Sequence, residues 1–436
     1  MHAQETIARS LADVWLAEAH DIDGFVKRGG EIFGKRWRWL RPLARRLADA
    51  FPPEKIPPRR TIVVQFLMAD SGFFQAYNKH DLRVGVLLAT PSMRPCSAAR
   101  LWEIRPLATP GELAQWLELT IPELEWLADA RGLSGKQNNP RLRHYHYRIL
   151  AKRFGQVRLL EAPKPRLKRI QRRILTEILN GIPPHDAARG FRRGHSIHTF
   201  ARPHVGQRAV IRIDLENFFP TISAAWVRAV FHTAGYPEEV AALLAALCTT
   251  SAPADVCDHS AGRLYARRRL PQGAPTSPAL ANLCGYRMDC RLAGLAKAAK
   301  AVYTRYADDL AFSGDADFER TAYRFHLHAC AVAMEEGFAI NHRKTRIMKR
   351  GVRQKLAGVV VNQKLNVPRR EYDLLKATLH NCAAHGPESQ NREGHANYRA
   401  HLEGKVSFVE SVHPKRGRKL RELLERIEWP EAGKRL

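Results

Sequence analysis

Apolar and polar residues alternate over two short runs near residue 300. Val302, Thr304 and Tyr306 alternate with Tyr303 and Arg305, and Leu310 and Phe312 alternate with Ala311 and Ser313. A period of two predicts a pair of strands, with Asp308 and Asp309 at the join. A third run, from Ala209 to Leu215, turns Ile211, Ile213 and Leu215 to one side and Asp214 to the other. One carboxylate is therefore presented at the end of a buried strand.

Elsewhere the spacing is helical. Thr109-Pro-Gly-Glu112 and Thr120-Ile-Pro-Glu123 read as capping boxes with proline in the first turn. They open two short helices with stripes of Leu113, Trp116, Leu117 and of Leu124, Leu127. The second carries Glu123, Glu125 and Asp129, a charge that suits a packing hairpin better than contact with phosphate. Residues 158–178 give a strand, a turn and a helix with Ile170, Ile174, Leu175 and Ile178 inward. Leu270 to Asn282 is a Gly/Pro-rich loop opening a helix near Ser277, which sets backbone N–H groups and Gln272 beside any ligand. Tyr372, Leu375, Leu379 and Cys382 mark a helix in the C-terminal part. The stretch Gly34 to Leu47 fits an amphipathic helix with a basic face, or a stacking surface for RNA. Arg141 to Arg148 fits an edge strand or a nucleic-acid surface, Pro52 to Pro58 marks a domain edge or linker, and the chain through Val84 to Leu88 fits strand or helix.

Charge then narrows the partners. The 436 residues include 71 Lys and Arg against 43 Asp and Glu, a net charge of +28 spread along the chain. Such a balance calls for a polyanion, and nucleic acid is the first expectation. No apolar run approaches the ~18 residues of a spanning helix and no signal-peptide core opens the chain, so the expected place is the cytoplasm. The seven scattered cysteines form no C-x-x-C pair and read as buried free thiols. Lys164, Arg166, Lys168 and Arg169 cluster at the mouth of the 158–178 segment, where fixed cations suit a triphosphate. His195, His198 and His204 stand beside no cysteine or carboxylate pair and suit RNA contact or packing more than metal. Adjacent carboxylates at a hairpin tip repel each other, a cost that a divalent cation removes.

The aspartate strand, the Pro271-Gln272-Gly273 loop and the Tyr306-Ala307-Asp308-Asp309 hairpin together resemble the palm of a reverse transcriptase, in the same order along the chain. Glu336-Gly-Phe-Ala-Ile-Asn341-His-Arg-Lys344-Thr345 resembles the next palm motif, and Leu356-Ala-Gly358-Val-Val-Val-Asn362 the hairpin that grips a primer terminus. Pro183 to Ile197 and Asp214 to Phe219 are most similar to the bacterial retron enzymes, in particular those with a long N-terminal extension. Two stretches depart from the retron pattern. Asn-Ala-x-x-His is here Phe200-Ala201-Arg-Pro-His204, and Val-Thr-Gly is Leu356-Ala357-Gly358.

The resemblance implies an α+β right-hand polymerase fold: fingers, a palm with an antiparallel sheet, and a helical thumb, after a mostly helical extension. Residues 1–105 would be the extension, 106–150 a helical lead into the fingers, 151–350 fingers and palm, and 351–436 primer-grip hairpin and thumb. It implies an RNA-directed DNA polymerase that copies a structured non-coding RNA, serving as template and primer, into DNA, in anti-phage defence with an effector protein. Two Mg²⁺ ions would be held by Asp214, Asp308 and the main-chain carbonyl of Leu215, with Asp309 alongside. Lys164 and Arg166 would hold the incoming dNTP, Lys344 would act on the pyrophosphate side, and Gln272 and Gly273 would line the pocket. Phe219 would be the bulky gate against a ribose 2′-OH. Tyr306, Gly358, Lys415, Arg416 and Arg418 would contact template and primer. The alternatives are another bacterial reverse transcriptase class, defence-associated or intron-derived, or a nucleic-acid-binding scaffold whose catalysis has lapsed.

Overall fold

A computed structural model describes residues 2–16, 22–52, 58, 60–84, 92–129, 132–133, 139–151, 157–256 and 262–429. Most of the proline-rich break at 52–58 and of the Val84–Leu88 stretch lies outside the described residues, as does Cys257. The chain divides into two compact units, Met1–Thr90 and Pro91–Leu436.

In the first unit, helices His2–Leu16, Ile22–Ile32, Leu40–Ala50, Arg60–Ala69 and Ser71–Lys79 share a core of Leu11, Trp15, Phe25, Leu43, Leu47 and Phe73. Leu40, Leu43, Ala44 and Leu47 recur at helical spacing and are buried, while Arg41, Arg45 and Arg46 face outward. That is the amphipathic helix of the two sequence alternatives. Asp70 caps the last helix by accepting from Phe73 N at 2.7 Å, and Arg46 Nε reaches the same carboxylate at 2.7 Å.

The second unit is built around one antiparallel sheet. Strands β1 (Tyr145–Ala151) and β2 (Val157–Pro163) form their own two-stranded ribbon, followed by helix Pro165–Glu177. The central sheet joins β3 (Ala209–Glu216), β4 (Val302–Tyr306), β5 (Asp309–Gly314), β6 (Ala339–Ile340) and β7 (Arg346–Lys349). β3 lies between β5 on one edge and β6 and β7, end to end, on the other. Both faces of β3 are covered. Ile211, Ile213 and Leu215 join the main core with Leu310, Phe312 and Phe325, whereas Val210 and Ala311 pack with Phe200, Met348 and Leu356 on the other face. The alternation in the sequence thus separates two apolar cores, one on each face of β3.

The two capped helices are Pro110–Leu117 and Ile121–Ala128, and both pack into the main core. Thr120 and Glu123 make the full reciprocal box, whereas at Thr109 the returning Glu112 carboxylate accepts from Ala108 N instead. The helix after the Gly/Pro loop is Ser277–Cys284. Strands β8 (Lys355–Leu356) and β9 (Val359–Val360) form the small hairpin, and helices Arg369–His385, Tyr398–Val412 and Pro414–Glu425 close on a separate core of Leu375, Leu379, Val406 and Leu420. The cysteine expectation needs correction. Cys248, Cys330 and Cys382 are buried, but Cys96 and Cys290 are exposed, the first preceding a surface turn and the second on the outer side of helix Tyr286–Ala298.

Candidate active site

The register of the sheet decides where the acids meet. β3 and β5 run antiparallel with Ile211 opposite Phe312, Ile213 opposite Leu310 and Asp214 opposite Asp309. β4 and β5 are joined by a two-residue turn, Ala307-Asp308, with Tyr306 opposite Asp309. Leu215 N donates to Asp308 O at 2.9 Å, and Asn341 N donates to Asp214 O at 2.8 Å, so the backbone carrying each carboxylate is tied to the next strand. All three acids line one cavity of about 1380 Å³, together with Leu215, Phe219, Gln272, Gly273, Tyr306 and Lys344. Residues far apart in the chain are gathered here as the motifs imply.

Electrostatics mark the same spot. Burial, then the neighbouring Asp214, holds the Asp308 carboxyl above its ordinary value. Asp309 is pushed up to about 6, first by burial and then by Asp308, with Arg212 opposing at 3.9 Å. Lys344 Nζ sits 3.2 and 3.3 Å from the two oxygens of Asp214. Three carboxylates sharing one cavity carry a like-charge cost that a cation relieves. Among the described residues no three or more His, Cys, Asp or Glu side chains are grouped so as to hold a metal ion by themselves. An all-oxygen set left open is what Mg²⁺ favours, since it keeps water or substrate oxygens in its shell.

The Gln272 loop forms another part of the cavity lining. Glu161 N of β2 donates to Gln272 O at 2.8 Å, and Arg269 makes a bidentate pair with the Glu161 carboxylate at 2.8 and 3.1 Å. Gly273 has φ 131°, and a Cβ there would approach Glu161 O to 3.0 Å, so a side chain is strained on both counts. Phe219 stands against Phe218 and Phe191, with ring centroids 5.6 and 6.1 Å away.

The cations differ from expectation. Lys164 and Arg166 do not line the cavity. Lys164 Nζ donates to the carbonyls of Pro140 and Arg141, both at 2.9 Å, and Arg166 pairs with Glu123, whose carboxyl is held down at about 2 by Thr120 and Arg166. Arg158, Lys168 and Arg172 line the cavity in their place, and the Arg158 charge reaches Asp308. Gly358, φ 88°, completes the β8–β9 turn, but it is Ala357, itself at φ 43°, that faces the cavity. Lys415 and Arg418 are exposed on helix Pro414–Glu425, outside this cavity. Arg416 donates to Asn366 Oδ1 at 3.0 Å and lines a second cavity with Arg353, Arg369 and Arg370.

Two supports behind the acids were not legible as functional in the sequence. Arg305, fully buried, donates to both oxygens of Asp289 at 2.8 and 2.6 Å, to Asn282 Oδ1 at 3.0 Å and to Ala307 O at 3.2 Å, within the Ala307-Asp308 turn. On the other face His204, also fully buried, has Nδ1 2.6 Å from Ser313 Oγ and Nε2 2.8 Å from Thr304 Oγ1, bracing β4 and β5 together. Burial pushes the His204 imidazole down to about 3, so it works as a neutral hydrogen-bonding strut. His198 Nε2 lies 3.2 Å from Ser411 Oγ, and His195 stands beside Arg189.

The family described as reverse transcriptase (RNA-dependent DNA polymerase) matches residues 150–367, a span that contains every residue named above for the cavity. The chain belongs to the reverse transcriptases. Within that family the chain is similar to retron enzymes. It is 44% identical to the Retron Mx65 reverse transcriptase of Myxococcus xanthus over 285 residues, 64% of each chain. The Retron Mx162 reverse transcriptase of the same organism is 34% identical over 337 residues, 73% of this chain and 67% of the relative. The Retron Ec86 reverse transcriptase of Escherichia coli is 31% identical over 274 residues, 63% of this chain and 77% of the relative. This is a retron-type reverse transcriptase by descent, although the match spans just under two thirds of the Mx65 protein. Reverse transcriptases in general depend on divalent metal and bind nucleic acid. Among the described residues no helix is long and apolar enough to cross a membrane.

Proposed function

We propose that this reverse transcriptase polymerises dNTPs on an RNA template, and that the template is a structured non-coding RNA which also supplies the primer, by a 2′-hydroxyl. The observation that carries the proposal is the pairing of Asp214 with Asp309 across β3 and β5, with Asp308 in the adjoining turn at the floor of a cavity rimmed by cations. Asp214, Asp308 and the carbonyl of Leu215 would hold two Mg²⁺ ions, with Asp309 alongside. Bound there, Mg²⁺ lowers the pKa of the attacking hydroxyl and offsets charge on the leaving pyrophosphate.

The remaining roles belong to side chains. Arg158, Lys168 and Arg172 offset the triphosphate charge, which Lys164 and Arg166, engaged elsewhere, do not reach. Lys344 releases Asp214 and turns its ammonium to the pyrophosphate. Gln272 and Gly273 form the pocket wall, and the Phe219 ring takes the space of a ribose 2′-OH. Tyr306, the β8–β9 turn at Gly358 and the thumb cations Lys415, Arg416 and Arg418 track the duplex, giving binding that weakens steeply with salt. The kinship with retron enzymes supports a cytoplasmic setting in anti-phage defence, with an effector protein as a further partner.

Sequencing the nucleic acid that copurifies with the protein tests this. One structured RNA joined through a 2′ branch to its own complementary DNA is the expected product. Bulk cellular RNA with no attached DNA contradicts the retron assignment.

A further inference from the structure

Phe191 sits where the fold alone has no use for a phenylalanine. Its backbone has φ 60°, a region that crowds a bulky side chain and suits glycine. Its side chain is also exposed, at 49% for the residue, so little apolar burial offsets the strain. The conformation is imposed by the catalytic hairpin. Arg305 N donates to Ala187 O and Arg189 N to Arg305 O, both at 2.7 Å, and Asn282 Nδ2 donates to Gly190 O at 2.8 Å. Gly190 lies flush on the turn, since a Cβ there would come within 2.9 Å of Ala307 N. Residues 187–190 therefore cannot shift without the turn that bears Asp308, and they hold Phe191 at one place in the cavity.

That place is between Phe219 and Tyr306, with the Phe191 ring centroid 6.1 Å from each. Beyond them, Phe218 backs Phe219 at 5.6 Å and Phe200 backs Tyr306 at 5.7 Å, so the row is anchored at both ends. Phe191 is the most exposed member of the row, and it lines the cavity with Asp308 and Ile197. A nucleotide whose sugar rests on Phe219 has the residue it will join on the Tyr306 side. Strain held in place at such a point is the mark of a residue kept for binding.

We infer that Phe191 binds the nucleotide at the primer's 3′ end, giving its sugar and base edge a flat apolar face that holds the terminal hydroxyl beside Asp308. This rests on the polymerase function proposed above. It makes Phe191 a binding residue distinct from the sugar gate, with the primer terminus as its ligand.

Phe191→Gly is the informative variant, because it removes the ring and the backbone strain together. In primer extension on an RNA template with full-length protein, it is expected to lose roughly tenfold in extension rate, the size of one aromatic–nucleotide contact. Its KM for dNTP stays unchanged, its melting temperature stays level or rises, and Phe191→Tyr restores the rate. Wild-type extension rates in Phe191→Gly would overturn the inference. So would a fall in melting temperature that accounts for the lost rate, with no rescue by Tyr, because the ring would then serve the fold. Should the wild-type protein extend no primer, the polymerase proposal itself fails; an active wild type beside an equally active Phe191→Gly removes only the role of Phe191.

Discussion

Arg305 and Asp289 pair behind the Ala307-Asp308 turn with both side chains fully removed from solvent, whereas Lys344 and Asp214 pair in front of it with the lysine 57% exposed and the aspartate 9%. The buried pair is bidentate, and its guanidinium also holds Asn282 and the turn carbonyl of Ala307. Removing either member strands a charge in a dry core, so the pair cannot let go. The front pair can. An exposed ammonium on a flexible stem exchanges readily with water or a competing cation. The same chemistry thus serves as frame on one side of the turn and as movable counter-charge on the other.

The sharpest break of that contrast is at the front. Asp214→Asn is expected to cut nucleotide incorporation by at least about a thousandfold while leaving the fold intact, as single-turnover kinetics beside thermal melting will show. At the back the order reverses. Asp289→Ala is expected to destabilise the protein by roughly 3–5 kcal/mol in denaturant titration, and the apolar double variant Arg305→Met/Asp289→Leu to recover much of that loss. Lys344→Met separates the two sides further: stability changes by less than about 1 kcal/mol, but the incorporation rate falls by roughly tenfold to a hundredfold. In the fingers, Arg158→Ala is expected to raise the KM for dNTP by about tenfold, whereas Lys164→Ala and Arg166→Ala leave it nearly unchanged.

The smallest effect is in pH. Asp309 rises from an ordinary 3.8 to about 6 in the fold, so between those values the folded state binds more protons than the unfolded one. Stability from this group is therefore present at low pH and is lost as pH climbs through about 6. In metal-free buffer the melting temperature of the wild type should drop across that window relative to Asp309→Asn, and Mg²⁺ should reverse the drop, since it favours the ionised carboxylates. A flat difference between the two proteins contradicts this.

The front was legible in the sequence and the back was not, for a physical reason. Asp214, Asp308 and Asp309 sit at the ends of short alternating runs, where period and motif can be read within a few residues. Arg305 also appeared in such a run, but its partner Asp289 lies in a helix 16 residues earlier, and no local pattern announces that a charge will be buried. Lys164 and Arg166 show the same limit from the other side. Their clustering suggested phosphate, yet Glu123, 43 positions upstream, takes one of them, and the carbonyls of residues 140 and 141 take the other. Arg158, at the start of β2, forms no visible cluster in the sequence, yet its charge, with that of Lys344, reaches Asp308. Phe219 and Gln272, whose distance from an acid or a glycine is fixed by a motif, line the same cavity as the acids, while Phe191 is marked only by its φ and its exposure.

The most direct test compares wild type and Asp308→Ala for RNA binding and for complementary-DNA synthesis on the same RNA, in the same samples. The expected result is equal RNA binding with DNA made only by the wild type, in Mg²⁺. DNA synthesis by Asp308→Ala at the wild-type rate would contradict the three-carboxylate site, and so would its absence from both proteins.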